Sequence, residues 1–60
     1  MDEATRMAVI NRMGFTMGDY AEAMRASQWA TARRHLNKLV AAFGMMAVEI
    51  EENDPAEREN

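Results

Sequence analysis

The sequence predicts a mainly α-helical domain of three helices followed by one short strand. Apolar residues recur at helical spacing in two segments, glycine follows both segments, and the apolar residues of 46–50 alternate with a period of two. With 60 residues and no cysteine, the chain is expected to form one small domain without a disulfide or a thiolate metal site. We expect this domain over residues 1–52 and a disordered acidic tail over 53–60.

The first half of the chain is expected to contain two helices. The first covers residues 2–13, with an aspartate suited to the N-cap, and Gly14 is expected to end it because glycine readily adopts the left-handed conformation after a helix. Thr16 and Asp19 have the spacing of a capping box. This box predicts a second helix that continues through Met24.

The third predicted helix, residues 28–43, carries the longest apolar stripe. Its members recur at spacings of three and four: Trp29, Ala32, Leu36, Leu39 and Phe43. The step of five from Met24 to the start of this stripe breaks the phase and predicts a turn at 25–27. No glycine or proline marks that turn, so one continuous helix over 17–43 is the alternative.

The segment after the third helix is expected to be extended. Gly44 is expected to end the helix, and Met46, Val48 and Ile50 alternate with smaller or acidic residues as in a strand with one buried side. We therefore expect a short strand at 46–50.

Charge is distributed unevenly along the chain. Residues 1–48 carry six basic and four acidic side chains, for a net charge of +2, whereas residues 49–60 carry −5, so that the whole chain is at −3. Between residues 24 and 48 there are four basic side chains and no acid. This distribution predicts a basic module with an acidic tail.

The order of these predicted elements resembles a winged helix-turn-helix DNA-binding domain. The closest local match is the segment 31–40, TARRHLNKLV, which leads through Gly44 toward the predicted strand. It is similar to the end of the recognition helix in small single-domain regulators of bacterial or phage type. The resemblance covers roughly residues 2–50 and implies a three-helix fold with a truncated β wing, and a transcriptional regulator that places helix 28–43 in the major groove of double-stranded DNA.

The outward side of helix 28–43, together with Arg25 before it, supplies the candidate DNA-binding residues. Thr31 and Arg34 are expected to reach base edges, and Arg25, Arg33 and Lys38 to lie near phosphates. With two further polar side chains, the predicted DNA-binding set is Arg25, Gln28, Thr31, Arg33, Arg34, Asn37 and Lys38. A homodimer is expected, because two half-sites double the contact that one small module makes with DNA.

Other functions are less compatible with the sequence. Ser27, the one serine, has no base and acid to activate it, and His35 has no cysteine or second histidine nearby, so we expect neither an enzyme nor a metal or other cofactor. No apolar run approaches the length of a membrane span, and we expect a cytoplasmic protein. The acidic tail is compatible with a regulatory protein partner.

A different class of protein remains open from the sequence alone. If residues 17–43 form one helix, the chain is a two-helix hairpin that dimerises as a four-helix bundle. Such a protein would act as a protein–protein adaptor or inhibitor, or as an RNA-binding hairpin dimer.

Overall fold

The computed structural model describes residues 1–58, which form two antiparallel helices and a final helical turn. Helix α1 spans Glu3–Arg25, α2 spans Trp29–Asn53 and α3 spans Pro55–Arg58. No strand occurs within the described residues. The last two residues of the predicted acidic tail, 59 and 60, lie outside the described part of the chain.

Helix α1 begins as the sequence predicts and continues well past its predicted end. The Asp2 side chain caps it by accepting a hydrogen bond of 2.8 Å from the Thr5 backbone N–H. Gly14 does not end the helix, and the predicted capping box at Thr16 and Asp19 lies in its interior, so both predictions are wrong. A glycine costs a helix only about 1 kcal/mol, and packing along the rest of α1 offsets this cost.

The turn between the helices lies where the sequence predicts it. Ser27 adopts a left-handed conformation with φ of 55°, and its N–H donates to the Met24 carbonyl at 3.1 Å. The Gln28 N–H donates to the Ala23 carbonyl at 2.9 Å, which completes a Schellman motif. The prediction of a turn at 25–27 is confirmed, and the alternative of one helix over 17–43 is wrong.

Helix α2 extends ten residues beyond its predicted end at Phe43. Gly44 lies inside it, and the segment 46–50 is helical, so the predicted strand and the β wing are wrong. Alternation over five residues is a weak signal beside a helical repeat that continues in phase over the whole of α2. The helix ends at Asn53 because Pro55 disfavours helical backbone at the residue before it.

The two helices pack along a seam with a strict heptad spacing. In each helix the residues of the seam recur in alternating steps of three and four, which are the a and d positions of a heptad. The seam consists of Arg6, Val9, Met13, Thr16, Tyr20 and Ala23 of α1, and Ala32, His35, Leu39, Ala42, Met46 and Glu49 of α2. All twelve are buried or half-buried.

The fold is therefore a two-helix hairpin, and the prediction of a three-helix winged helix-turn-helix domain is wrong. The alternative architecture, a helical hairpin, is the one observed, although its turn lies at Ser27 and not near Gly14. The resemblance of segment 31–40 to a recognition helix does not extend to the fold, because the two helices expected before it form one continuous helix, α1, which packs antiparallel to α2.

Candidate functional site

The open end of the hairpin is closed by two cations that pair with one buried carboxylate. Glu49 is 6% exposed; its Oε2 accepts a hydrogen bond of 2.8 Å from Nη1 of Arg6, and its Oε1 accepts one of 3.0 Å from the Met1 ammonium. The hydrogen bond from this ammonium, with that from Arg6, holds the pKa of Glu49 below its ordinary value against the opposing effect of burial. The pair agrees with the register of the whole seam, in which every step along α1 from Arg6 matches an equal step back along α2 from Glu49.

One side of the hairpin carries a continuous apolar face. We use this name for the apolar residues at e positions, which in both helices directly follow the d positions: Ile10, Met17, Met24, Trp29, Leu36, Phe43 and Ile50. Each of these side chains is between 41% and 62% exposed. Met7 and Val40, at b positions, extend the same apolar surface outward.

The antiparallel packing places the e positions of both helices on one side. Because the helices run in opposite directions, the residue that follows a d position points to the same side of the pair in both helices. The g positions, which precede the a positions, must then share the other side. A groove on the hairpin confirms this arrangement, since Thr5, Arg12 and Asp19 of α1 line it together with Lys38 and Met45 of α2.

The hairpin has little interior of its own. Across the described residues, the buried apolar side chains are Ala23, Ala32 and Leu39. The smallest dimension of the molecule is 13 Å, which is about the thickness of a single helix with its side chains. Stable domains bury apolar side chains between at least two layers of secondary structure. The apolar face has no second layer packed against it in the single hairpin.

The opposite side, which we call the mixed face, differs in chemistry. It comprises the g and c positions: Thr5, Ala8, Arg12, Phe15, Asp19 and Glu22 of α1, and Thr31, Arg34, Lys38, Ala41, Met45, Val48 and Glu52 of α2. Eight of these residues are polar or charged. Phe15, at 78%, is the most exposed large apolar side chain described on this face. Because of these eight side chains, the mixed face is more polar than the apolar face.

The structure distributes the predicted DNA-binding residues around the hairpin. Thr31, Arg34 and Lys38 follow one another along the mixed face, where Nη2 of Arg34 is 3.3 Å from Oγ1 of Thr31. Arg33 lies at a b position, beside the apolar face, and Asn37 points outward at an f position. The remaining two are at the loop end, where Arg25 is the last residue of α1 and Gln28 precedes α2.

Sequence reasoning missed the division of the apolar stripe of α2 between two surfaces. Ala32 and Leu39 face the seam, whereas Trp29, Leu36 and Phe43 belong to the apolar face and stay exposed. It also missed the pairing of Arg6 with Glu49, because the predicted strand at 46–50 would place Glu49 in a β wing. The signal for both was the heptad itself, in which large apolar residues occupy e positions, and opposite charges occupy the first seam position of α1 and the last seam position of α2.

The described residues contain neither a membrane-spanning helix nor a metal site. No helix among them has the length and apolarity to cross a bilayer, and no three His, Cys, Asp or Glu side chains are grouped to hold a metal ion. No protein-family model matches the chain, and no curated protein or solved structure is significantly similar to it.

Proposed function

We propose that this chain is a helical-hairpin adaptor, a protein–protein interaction module that contributes two helices to a four-helix bundle. The observation that carries the proposal is the apolar face, whose large side chains are exposed along both helices. Helices that present apolar residues at a, d and e positions are typical of bundles, in which the e positions pack against a second pair of helices.

The chemistry of the surface favours a protein partner over a lipid surface. Helices that lie on membranes combine an apolar side with a polar side rich in lysine and arginine. Here the mixed face carries Asp19, Glu22 and Glu52 beside its cations, and the chain has a net charge of −3. A helical partner that completes the bundle buries the apolar face without requiring an anionic surface.

The test is photocrosslinking of the full chain with benzoylphenylalanine at Phe43. Phe43 lies on the apolar face, whereas Phe15 lies on the mixed face and provides a matched control with the same chemical change. We expect adducts from the Phe43 probe in cell extract, their loss with Leu36→Glu in the same chain, and few adducts from the Phe15 probe. Equal crosslinking from both positions, or crosslinking indifferent to Leu36→Glu, would contradict the proposal.

Nucleic-acid binding is a second candidate function, with a narrower basis. Thr31, Arg34 and Lys38 form a polar row on the mixed face, Arg12 lies across the groove, and α2 has no acid before Glu49. Such a row suits contacts with phosphates, whose strength falls steeply with salt. Titration of duplex DNA and hairpin RNA at two salt concentrations tests it: binding should be lost in Arg34→Ala/Lys38→Ala and retained in Arg33→Ala. No binding at low salt removes this candidate.

A further inference from the structure

We propose that the partner of the apolar face is a second copy of this chain, packed so that the two loops lie at opposite ends of the bundle. The inference rests on the adaptor function proposed above and names the partner that covers the apolar face. It follows from the dimensions of the face and from the charges at its edges.

The apolar face has the shape and size that a self-complementary interface requires. Helices α1 and α2 have 23 and 25 residues, so two hairpins can stack flush along their whole length. The molecule measures 46 by 25 Å in its two larger directions. A face of these dimensions can supply the roughly 800 Å² per partner that a stable interface buries. A two-fold axis then packs the apolar face of one subunit against the identical apolar face of the other.

The side-chain charges at the edge of α2 differ in sign between its two halves. At the outer edge of the apolar face, the loop half of α2 carries Arg33, and the open half carries Glu51 and Asp54, within or directly after the helix. Loops at opposite ends place α2 beside α2 of the partner in antiparallel orientation. The basic half of each then lies against the acidic half of the other.

The individual charges at the edges of the face distinguish the two possible orientations. With the loops at opposite ends, Arg33 lies within one helical turn of Glu51 of the partner subunit, and Arg25 lies level with Glu3 of the partner subunit. With the loops together, α1 packs beside α2 of the partner, so Arg33 lies within one turn of Arg25 of the partner subunit, and Glu3 near Glu51 of the partner subunit. The first orientation pairs opposite charges at both places, whereas the second pairs like charges.

The distance between the two loops tests the orientation directly. The chain has no cysteine, so a nitroxide attached to Gln28→Cys reports from one site per chain. Gln28 is exposed and its side chain makes no capping hydrogen bond. Electron–electron resonance should give a distance of about 35 Å or more, the length of α2, for loops at opposite ends. Loops at the same end would give about 20 Å or less, which overturns the orientation.

Reversal of the charge at Arg33 tests the same orientation, because the two orientations predict opposite changes in the dissociation constant of the dimer. Arg33→Glu should weaken the dimer about three- to tenfold, because it places a carboxylate near the acidic end of the partner α2 in both symmetric contacts. Adding Glu51→Arg to the same chain should restore the affinity. Arg34→Glu changes the net charge equally on the mixed face and should shift the dissociation constant less than about twofold. A tighter dimer in Arg33→Glu would overturn the orientation.

The dissociation constants can be read from Trp29, the one tryptophan of the chain, which lies on the apolar face and is 62% exposed in the single hairpin. Its emission should shift to shorter wavelength as the dimer forms, and sedimentation equilibrium gives the mass independently. A chain that remains monomeric at high concentration overturns the second-copy inference. If its Phe43 probe still crosslinks in a manner that depends on Leu36, the adaptor function stands with a different partner.

Discussion

Arg6 and Glu49 are separated by 43 residues in the chain, and Nη1 of Arg6 lies 2.8 Å from Oε2 of Glu49. The Met1 ammonium occupies the other oxygen of the same carboxylate at 3.0 Å. Both cations belong to the start of α1 and Glu49 to the end of α2. This charge cluster therefore joins the two helix ends that are farthest from the turn, where nothing covalent holds them together.

Glu49→Gln should lower the unfolding midpoint of the protein more than Glu22→Gln does. Glutamine keeps the shape of the side chain but removes the charge that faces Arg6 and the amino terminus. Glu22 is exposed on the mixed face, outside both the charge cluster and the proposed dimer interface, and provides the matched control. Thermal unfolding followed by circular dichroism at neutral pH makes the comparison. Equal midpoints for the two variants would show that the cluster contributes no more than a surface charge.

Stability should fall when the solution is acidified. The pKa of Glu49 is lowered from 4.5 by its hydrogen bonds to the ammonium and Arg6, and that of Asp2 from 3.8 by its hydrogen bonds with Thr5. A carboxyl whose folded pKa is depressed stabilises the fold above its unfolded pKa and loses that contribution as pH falls through the folded value.

The unfolding midpoint should thus change little from neutral pH to about 5 and decline below the ordinary carboxyl range. In Glu49→Gln this decline should be shallower, because one of the two groups no longer titrates. Denaturant unfolding over a pH series measures both slopes. A wild-type protein whose stability rises on acidification would contradict the assignment.

Ser27→Gly should stabilise the hairpin by roughly 0.5–1 kcal/mol. Ser27 holds φ of 55° in the Schellman turn, a conformation that costs a residue with a Cβ atom more than it costs glycine. Ser27→Ala keeps the Cβ and should bring no gain. Urea unfolding of the three proteins at one concentration tests the difference, and equal stability of the glycine and alanine variants would contradict it.

Gly18→Ala and Gly44→Ala should each raise the free energy of unfolding by about 0.5–1 kcal/mol. Both glycines lie inside helices, and a Cβ atom added at either meets nothing within 4 Å. Alanine therefore restricts the unfolded chain without a clash in the folded one. Both lie at f positions, away from the seam and the apolar face. A loss of stability in either variant would show that its outer surface is covered.

Part of the fold follows from local signals. The N-cap at Asp2 and the turn at 25–27 were predictable because each depends on residues close together in the chain. The helical content of 28–43 was also predictable from its spacing of apolar residues. These features need no contact between distant segments.

Less of the candidate site could be predicted from the sequence. The spacing of apolar residues reveals the stripe of α2, but its division between the seam and the apolar face depends on which side α1 covers. The basic side chains of α2 suggested one DNA-binding surface, whereas the antiparallel packing separates Arg33 from Arg34 and Lys38. A helical wheel of α2 alone cannot assign these sides.

The sequence by itself determined that this protein is helical, that it turns near Ser27 and that one stripe of α2 is apolar, because these properties arise from neighbouring residues. Only the tertiary structure decided that Gly14 and Gly44 continue their helices and that 46–50 is helical. Packing along the whole seam outweighs the modest local preferences of glycine and of a five-residue alternation. It also placed Glu49 against Arg6, a contact that forms only when the ends of the chain are brought together.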